Sequence, residues 1–556
     1  YDKVAKRELL ESPARLAFMF QKPQRHPAWN MEWEDQQKAP NGYVDGPAKI
    51  EIAENGPVRV ALRIEREARG SKFVQYVRLA AGSDRVEFTN TIDWRSQECS
   101  LKAEFPLTIS NPMATYNWEV GTVQRGNNNE KFYEGPSHRW FDLTNADGKY
   151  GVAVLNEAKY GSDKPNDNTL RLTLLYTPGV RDNYQHQGTG DWGRHEIVYA
   201  LQGHTGDWRA GQTQVKAAQL VQPLMAFATS AHSGKLGKSV SLLKVSTPQV
   251  AVNAMKKAED SDETIVRLFE LSGKAAKDVK LTFTRPVLAV REVNGQELPV
   301  ASSDLRIQGN IVRLDMTAYH PRALAIKFGG KAVAPPQTPV KLPYDVDVTS
   351  SGLGESDGKF DADGRTIPGE LLPRKVTSGG VTFQMGNPMG HALNAIRPSG
   401  QTISIPKGKR LYFLAASSHG DRLAPFKVNG RIRTLKIQAW DGFIGQWDTR
   451  LWEGAQEDEK AFGWTHKLLG IAPGFIKRDP VAWYADHKRL ADGVNDAYHF
   501  CYLFRYCLEL PEGAKTVTLP FDRQIVILAA TVADSAGEEV RPLRPDARRL
   551  PSRRAG

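Results

Sequence analysis

The sequence predicts an all-β protein: a large super-β-sandwich, then a small β-sandwich, then a C-terminal jelly-roll-like domain. Three observations carry this. Apolar and polar residues alternate with period two over long stretches, the signature of strands with one buried face. The 48 glycines and 33 prolines are spread along the chain, as many turns between short strands require. No long amphipathic helix stands out before residue 240. A chain of 556 residues also exceeds one hydrophobic core, so several domains are expected.

In chain order, Val58–Arg66 and Arg85–Trp94 have period two, and Thr169–Tyr176 repeats it. Gly82-Ser83-Asp84, Asn111-Pro112 and Asp147-Gly148 supply turn chemistry between them. These place a large β-unit at residues 1–238. Glu263–Leu271 and Asp278–Phe283 read as strands of a compact sandwich over 239–330. Ala334-Pro335-Pro336-Gln337-Thr338-Pro339 reads as a linker, 331–342, because proline removes backbone donors and favours an extended chain. Gln401–Pro406, Arg410–Ala416, Ile432–Trp440 and Lys515–Pro520 then give the strands of a jelly-roll-like unit, 343–540. Residues 541–556 read as a solvated, disordered basic tail, with six arginines and one aspartate between Arg541 and Arg554.

Charge and cysteine content narrow the function classes. The net charge of +11 owes part of its excess to that tail, and no nucleic-acid-binding module accompanies it, so nucleic acid is not expected as a partner. No run of 18 apolar residues exists, so no membrane-spanning helix is expected. Cys99, Cys501 and Cys507 make neither a disulfide framework nor a four-ligand zinc site, and read as small buried apolar residues. The compartment and any oligomeric assembly are left open.

One set of motifs is specific. His138-Arg139-Trp140-Phe141-Asp142-Leu143 is followed by Lys149-Tyr150-Gly151-Val152-Ala153-Val154-Leu155-Asn156-Glu157-Ala158-Lys159-Tyr160-Gly161. Downstream come His195-Glu196-Ile197-Val198-Tyr199-Ala200-Leu201 and Gly206-Asp207-Trp208. Together they resemble the β-rich C-terminal half of α-mannosidases of glycoside hydrolase family 38, and the resemblance runs from Tyr1 to Phe328. It implies a glycosidase that hydrolyses terminal α-linked mannose with retention of configuration. It also implies zinc held by two His and two Asp, and an aspartate nucleophile, all in an upstream catalytic domain. The partners expected are thus an α-mannoside substrate and that catalytic domain, with this portion scaffolding it and shaping the substrate entrance. The alternative is a stand-alone carbohydrate-binding or assembly module without catalysis.

The residues agree with that division. The twelve histidines are scattered, with no His-x-x-x-His or Cys-x-x-Cys pair, so no cofactor is expected to be bound by this chain, and neither a metal ligand nor a catalytic residue is assigned here. Asp361-Ala362-Asp363-Gly364 looks faintly like a calcium loop but reads better as a turn. The substrate-binding candidates are Asn156, Lys159, Tyr160 and Asp163. They follow an apolar strand and offer the donors, acceptors and aromatic surface that sugar hydroxyls need. By the resemblance, this loop leans toward the mannose site. Trp440, Trp447 and Trp483, on aromatic-rich loops of the third unit, are candidate carbohydrate-binding residues. Trp29 and Trp33 fit packing against a neighbouring domain, and His138 and Arg139 fit a structural role, pairing with Asp142 or backbone.

Overall fold

A computed structural model describes the chain except residues 182–183, 185–186, 229–235, 302–303, 331–335, 356, 448, 454–467, 478, 535–540 and 543–556. Strands make up 52% of it and helices 4%, so the all-β expectation holds.

The first unit is two antiparallel sheets face to face. One runs in the order β10 (Gly135–Pro136), β13 (Gly161–Asn166), β14 (Thr169–Thr177), β7 (Cys99–Pro106), β1 (Arg15–Phe20), β2 (Gly42–Tyr43). The other runs β3 (Lys49–Asn55), β4 (Arg59–Ala68), β5 (Ser71–Ala80), β6 (Arg85–Trp94), β15 (Gly193–Thr205), β12 (Tyr150–Asn156), β11 (Trp140–Thr144), β8 (Ala114–Trp118), β9 (Gly121–Arg125). Alternation decides the packing. Leu101, Ala103 and Phe105 of β7 and Leu170 and Leu172 of β14 meet Ile92, Val152, Val154 and Tyr199 in one core.

β12 is buried along its whole length because both its faces are covered. Trp140, Ala153, Leu155 and Ala200 lie on the far side, under a nine-residue helix, α2 (Thr213–Val221), through Ala217 and Leu220. That explains why Val152-Ala153-Val154-Leu155 is a continuous apolar run rather than an alternating one. The sequence pattern does not mark α2. A second helix, α1 (Trp33–Gln36), is a single turn.

Residues 243–328 form two four-stranded sheets around Val266, Leu268, Leu281, Val312 and Ile326. This sandwich touches the first unit where Arg209 Nε donates to Ser272 O at 2.7 Å and Thr122 Oγ1 lies 2.9 Å from Tyr319 OH. The third unit packs a five-stranded sheet (Gln337–Val340, Ile525–Ala533, Arg410–Ser417, Asn495–Glu509, Val481–Arg489) on a four-stranded one (Thr402–Ser404, Thr516–Thr518, Arg422–Val428, Arg431–Ile437).

Two expectations need correcting. Residues 337–340 are not linker but an edge strand paired with Ile525–Ala533. Pro339 is tolerated there because an edge strand does not need every ladder donor. Arg541–Pro542, read as the start of a disordered tail, pairs with Phe227–Ala228, and residues 543–556 lie outside the described residues. Cys99 and Cys501 are buried free thiols and Cys507 is half-buried.

Candidate functional site

The loop joining β12 to β13 brings the four predicted residues close in sequence but divides them physically. Asn156 ends β12 and is fully buried. Its Oδ1 accepts the Lys159 N–H at 3.1 Å, closing the turn, while its backbone N–H donates to Arg139 O at 2.8 Å. Ala158, inside that turn, takes φ +56°, left-handed backbone that an alanine adopts only at a cost. Lys159 is half-buried; burial lowers its pKa and Asp191 partly opposes this. Tyr160 is 54% exposed.

Tyr160 is not alone. Its ring meets His138 edge-on at 5.7 Å, and His138 stacks on Trp118 at 5.3 Å. The Arg125 guanidinium lies 5.5 Å from the Trp118 ring. Trp118 is 40% exposed, so the three rings make a wet aromatic ledge at one end of the sandwich. His138, expected to pair with Asp142 or backbone, donates its backbone N–H to Asn117 O at 3.1 Å and lends its ring to that ledge. Asp142 bonds His204, with Nε2 and Oδ1 2.7 Å apart inside the sheet.

Asp163 is a different kind of residue. Its side chain is 0% exposed, and it accepts hydrogen bonds from Lys102 Nζ at 2.7 Å, Arg171 Nε at 3.0 Å and Asn128 Nδ2 at 2.7 Å. Burial alone would raise its pKa, but Lys102 and Arg171 overturn that and hold it below the ordinary carboxylate range. Asp163 and Asn156 therefore build the loop's foundations. Of the four, Lys159 and Tyr160 are those with surface to offer a sugar.

The three tryptophans of the third unit also separate. Trp440 is 1% exposed and stacks on Phe360 at 4.1 Å, so it is a core residue, and its sugar-facing assignment is corrected. Trp483 is half-buried, its Nε1–H donating to Leu371 O at 3.2 Å. Trp447 is 86% exposed. Among the described residues no ring contact joins the three, and Trp464 and His466 of the same aromatic-rich region lie outside them.

The sequence pattern alone does not reveal a row of charges on the outer face of the six-stranded sheet. Register places Arg15, Glu104, Arg171 and Asp163 side by side on β1, β7, β14 and β13. Lys102, one pleat along, also binds Glu134. The visible signal was period two, with Lys102 and Glu104 between Leu101, Ala103 and Phe105. Residues 22–41 cross over the face that carries these charges. Tyr133 OH donates to Met31 O at 2.8 Å and Tyr176 OH to Asn30 O at 2.6 Å. Trp33 rests against Tyr133 of the same unit, 5.8 Å between rings, and Trp29 is 71% exposed and stacks on His26.

Asp361 closes its turn on itself, accepting the N–H groups of Asp363 and Arg365 at 3.0 Å each. Among the described residues no three His, Cys, Asp or Glu side chains come together to hold a metal ion, and no helix is long and apolar enough to cross a membrane.

Comparison with known proteins gives three successive family matches. Residues 1–184 match the glycosyl hydrolases family 38 C-terminal domain, 249–326 the family 38 C-terminal β-sandwich domain, and 336–536 an AziU2-like β-sandwich domain. Alpha-mannosidase 2C1 of Mus musculus is 32% identical over 264 residues, 46% of this chain and 24% of the mouse protein. Alpha-mannosidase G of Dictyostelium discoideum is 26% identical over 291 residues, 49% of this chain and 25% of that protein. The chain thus spans about a quarter of the length of these relatives. An α-mannosidase structure from Enterococcus faecalis V583 is 19% identical with a TM-score of 0.46, covering 58% of this chain and 39% of that one. Residues 1–184 and 249–326 are therefore domains of the kind that forms the C-terminal part of glycosyl hydrolase family 38 proteins.

Proposed function

We propose that this chain is the β-domain portion of a retaining, zinc-dependent α-mannosidase that removes terminal α-linked mannose. Its part is to scaffold a catalytic domain and shape the substrate entrance. The observation that carries the reading is the succession of two family 38 C-terminal domain matches in chain order, with α-mannosidases among the relatives of the chain. The described side chains do not fit a catalytic zinc site, so no step through the metal is placed in this chain.

Within that reading the chain's own residues bind and orient. Tyr160 offers a hydroxyl and an exposed ring at the rim, beside Trp118 and His138. Lys159 offers an ammonium whose proton is held less firmly than usual because the group is half-buried. Asn156 fixes the turn that presents both, and Asp163 pins the following strand.

The test is hydrolysis of an aryl α-mannoside. The 556-residue chain by itself is expected to be inactive, and the longer polypeptide that the reading requires is expected to be active. In the longer protein Tyr160→Ala should raise KM while kcat stays close to wild type, as loss of uniform binding does. Zinc-dependent turnover by the purified 556-residue chain would overturn the proposal. Sugar binding with no active longer form would favour the stand-alone binding module.

A further inference from the structure

A cavity of about 420 Å³ opens on the outer face of the six-stranded sheet, where residues 33–40 cross the row of charges. Trp33, Gln36, Lys38, Glu104, Asn166 and Arg171 line it. The volume falls within the usual range of small-molecule sites, about 300–1,000 Å³.

Its polar groups are unevenly satisfied. Gln36 is 2% exposed, yet its Oε1 has no hydrogen-bond partner. Buried carbonyl oxygens seldom go without a donor, because each one left so costs about 1–3 kcal/mol. Glu104 lies on the cavity floor with its side chain 14% exposed. Among the described residues its carboxylate accepts no hydrogen bond, and Arg171 Nη1 stands 3.8 Å away. Burial raises the Glu104 pKa, Arg171 opposes that, and Asp163 behind it adds to the rise. Glu104 thus faces the cavity as an acceptor without a hydrogen-bond donor, while the Gln36 carbonyl is sealed within its wall.

The charges select among ligands that bring donors. Lys38, held by Asp35 at 2.7 Å, and Arg171 both line the cavity and disfavour an ammonium. Glu104, with Asp163 behind it, disfavours an anion. A neutral polyol meets both conditions, since its hydroxyls donate to Glu104 and accept from Lys38. The half-buried Trp33 indole in the wall suits the apolar face of a pyranose ring. We propose that this cavity is a saccharide-binding pocket, with Trp33 as its stacking wall, Glu104 as acceptor for a sugar hydroxyl and Lys38 as donor to another. The proposal rests on the α-mannosidase reading only for the choice of first probe.

The experiment is isothermal titration calorimetry of the full 556-residue chain with methyl α-mannoside, mannobiose and methyl α-glucoside, and with tetramethylammonium and sulfate as contrasts. Saturable millimolar binding of at least one sugar is expected. Trp33→Ala and Glu104→Gln should each weaken it about tenfold, the loss of one stacking face or one charge-assisted hydrogen bond. Because Trp33→Ala also removes a packing contact, the nearly isosteric Glu104→Gln is the deciding variant if the first one unfolds. Loss of binding in Tyr160→Ala with Glu104→Gln at wild-type affinity would place the sugar at the β12–β13 loop and overturn the proposal; failure of the hydrolysis assay leaves the titration result intact. Absence of saturable sugar binding would overturn the proposal. So would wild-type affinity in Glu104→Gln, or tighter binding of tetramethylammonium or sulfate than of any sugar.

Discussion

Asp163→Asn tests whether the buried charge row holds the first unit together. The substitution keeps the shape of the side chain and removes its charge. Neither cation it serves can turn to water, because Lys102 is 0% and Arg171 4% exposed. Lys102 would keep Glu134, but Arg171 would be left with Glu104 at 3.8 Å. Removing one partner of a buried pair costs about 3–5 kcal/mol. The amide oxygen still accepts one hydrogen bond, which puts the expected loss at the low end, about 3 kcal/mol. The assay is urea unfolding followed by tryptophan fluorescence. A chain of several sandwiches need not unfold in one step, so the relevant transition is the one that Phe105→Leu, a core change in the same unit, also shifts. A loss below about 1 kcal/mol would mean that the pair is no better than a surface one and would refute the reasoning.

The same pair predicts a pH dependence of definite sign. The folded pKa of Asp163 lies below its unfolded value of about 3.9. Its stabilisation is therefore complete above that pH and is lost as the pH falls through the folded value. The stability gap between wild type and Asp163→Asn should be constant near neutrality and narrow in acid. A gap that widens in acid would contradict the assignment.

Trp440→Ala should destabilise the third unit by about 3–5 kcal/mol, as deletion of a buried aromatic does, while Trp447→Ala leaves its thermal midpoint unchanged. Gly151→Ala would place a Cβ 2.2 Å from His204 Cε1, and the overpacking should cost about 1–3 kcal/mol by denaturant titration, since the His204–Asp142 bond would have to shift. Burial pushes the Cys99 thiol up to about 11 and the Cys501 thiol up to about 12, so neither should react with iodoacetamide in the folded protein at pH 8, as mass spectrometry would show; both should react in urea.

The fold was legible where one face of a strand is wet. Arg85–Trp94 coincides with β6, and Thr169–Tyr176 lies within β14. Legibility failed where tertiary cover decides the outcome. Trp440 stands among glycines and aspartates that suggest a surface loop, yet Phe360, eighty residues earlier in the chain, takes its ring face. α2 contributes few apolar residues, and its place over β12 depends on contacts with Trp140 and Leu155 that no local pattern encodes. At the candidate site, residue type pointed to hydroxyl-binding chemistry. Only the strand pairing shows that Asp163 lies beside Arg171 in the covered charge row while Tyr160, three residues before it, is exposed.

The charge row also settles something that hydrophobicity leaves open. A one-residue slip between β7 and β14 would expose the leucines, so apolar patterning forbids it. A two-residue slip keeps every leucine inward and is invisible to that pattern. It is not invisible to the charges. In the observed register Arg171 faces Glu104 across the strands, and Glu104 faces Arg15 on the other side. Sliding β14 by two residues one way sets Arg171 against Lys102, and the other way against Pro106. Sliding β1 by two sets Arg15 against Lys102. Each alternative puts like charges together, or leaves a guanidinium without its partner, on a face that residues 22–41 roof over. The pairs therefore select one alignment of the strands out of those the leucines permit, and that alignment puts Glu104 on the floor of the cavity and Asp163 beneath the loop that carries Tyr160.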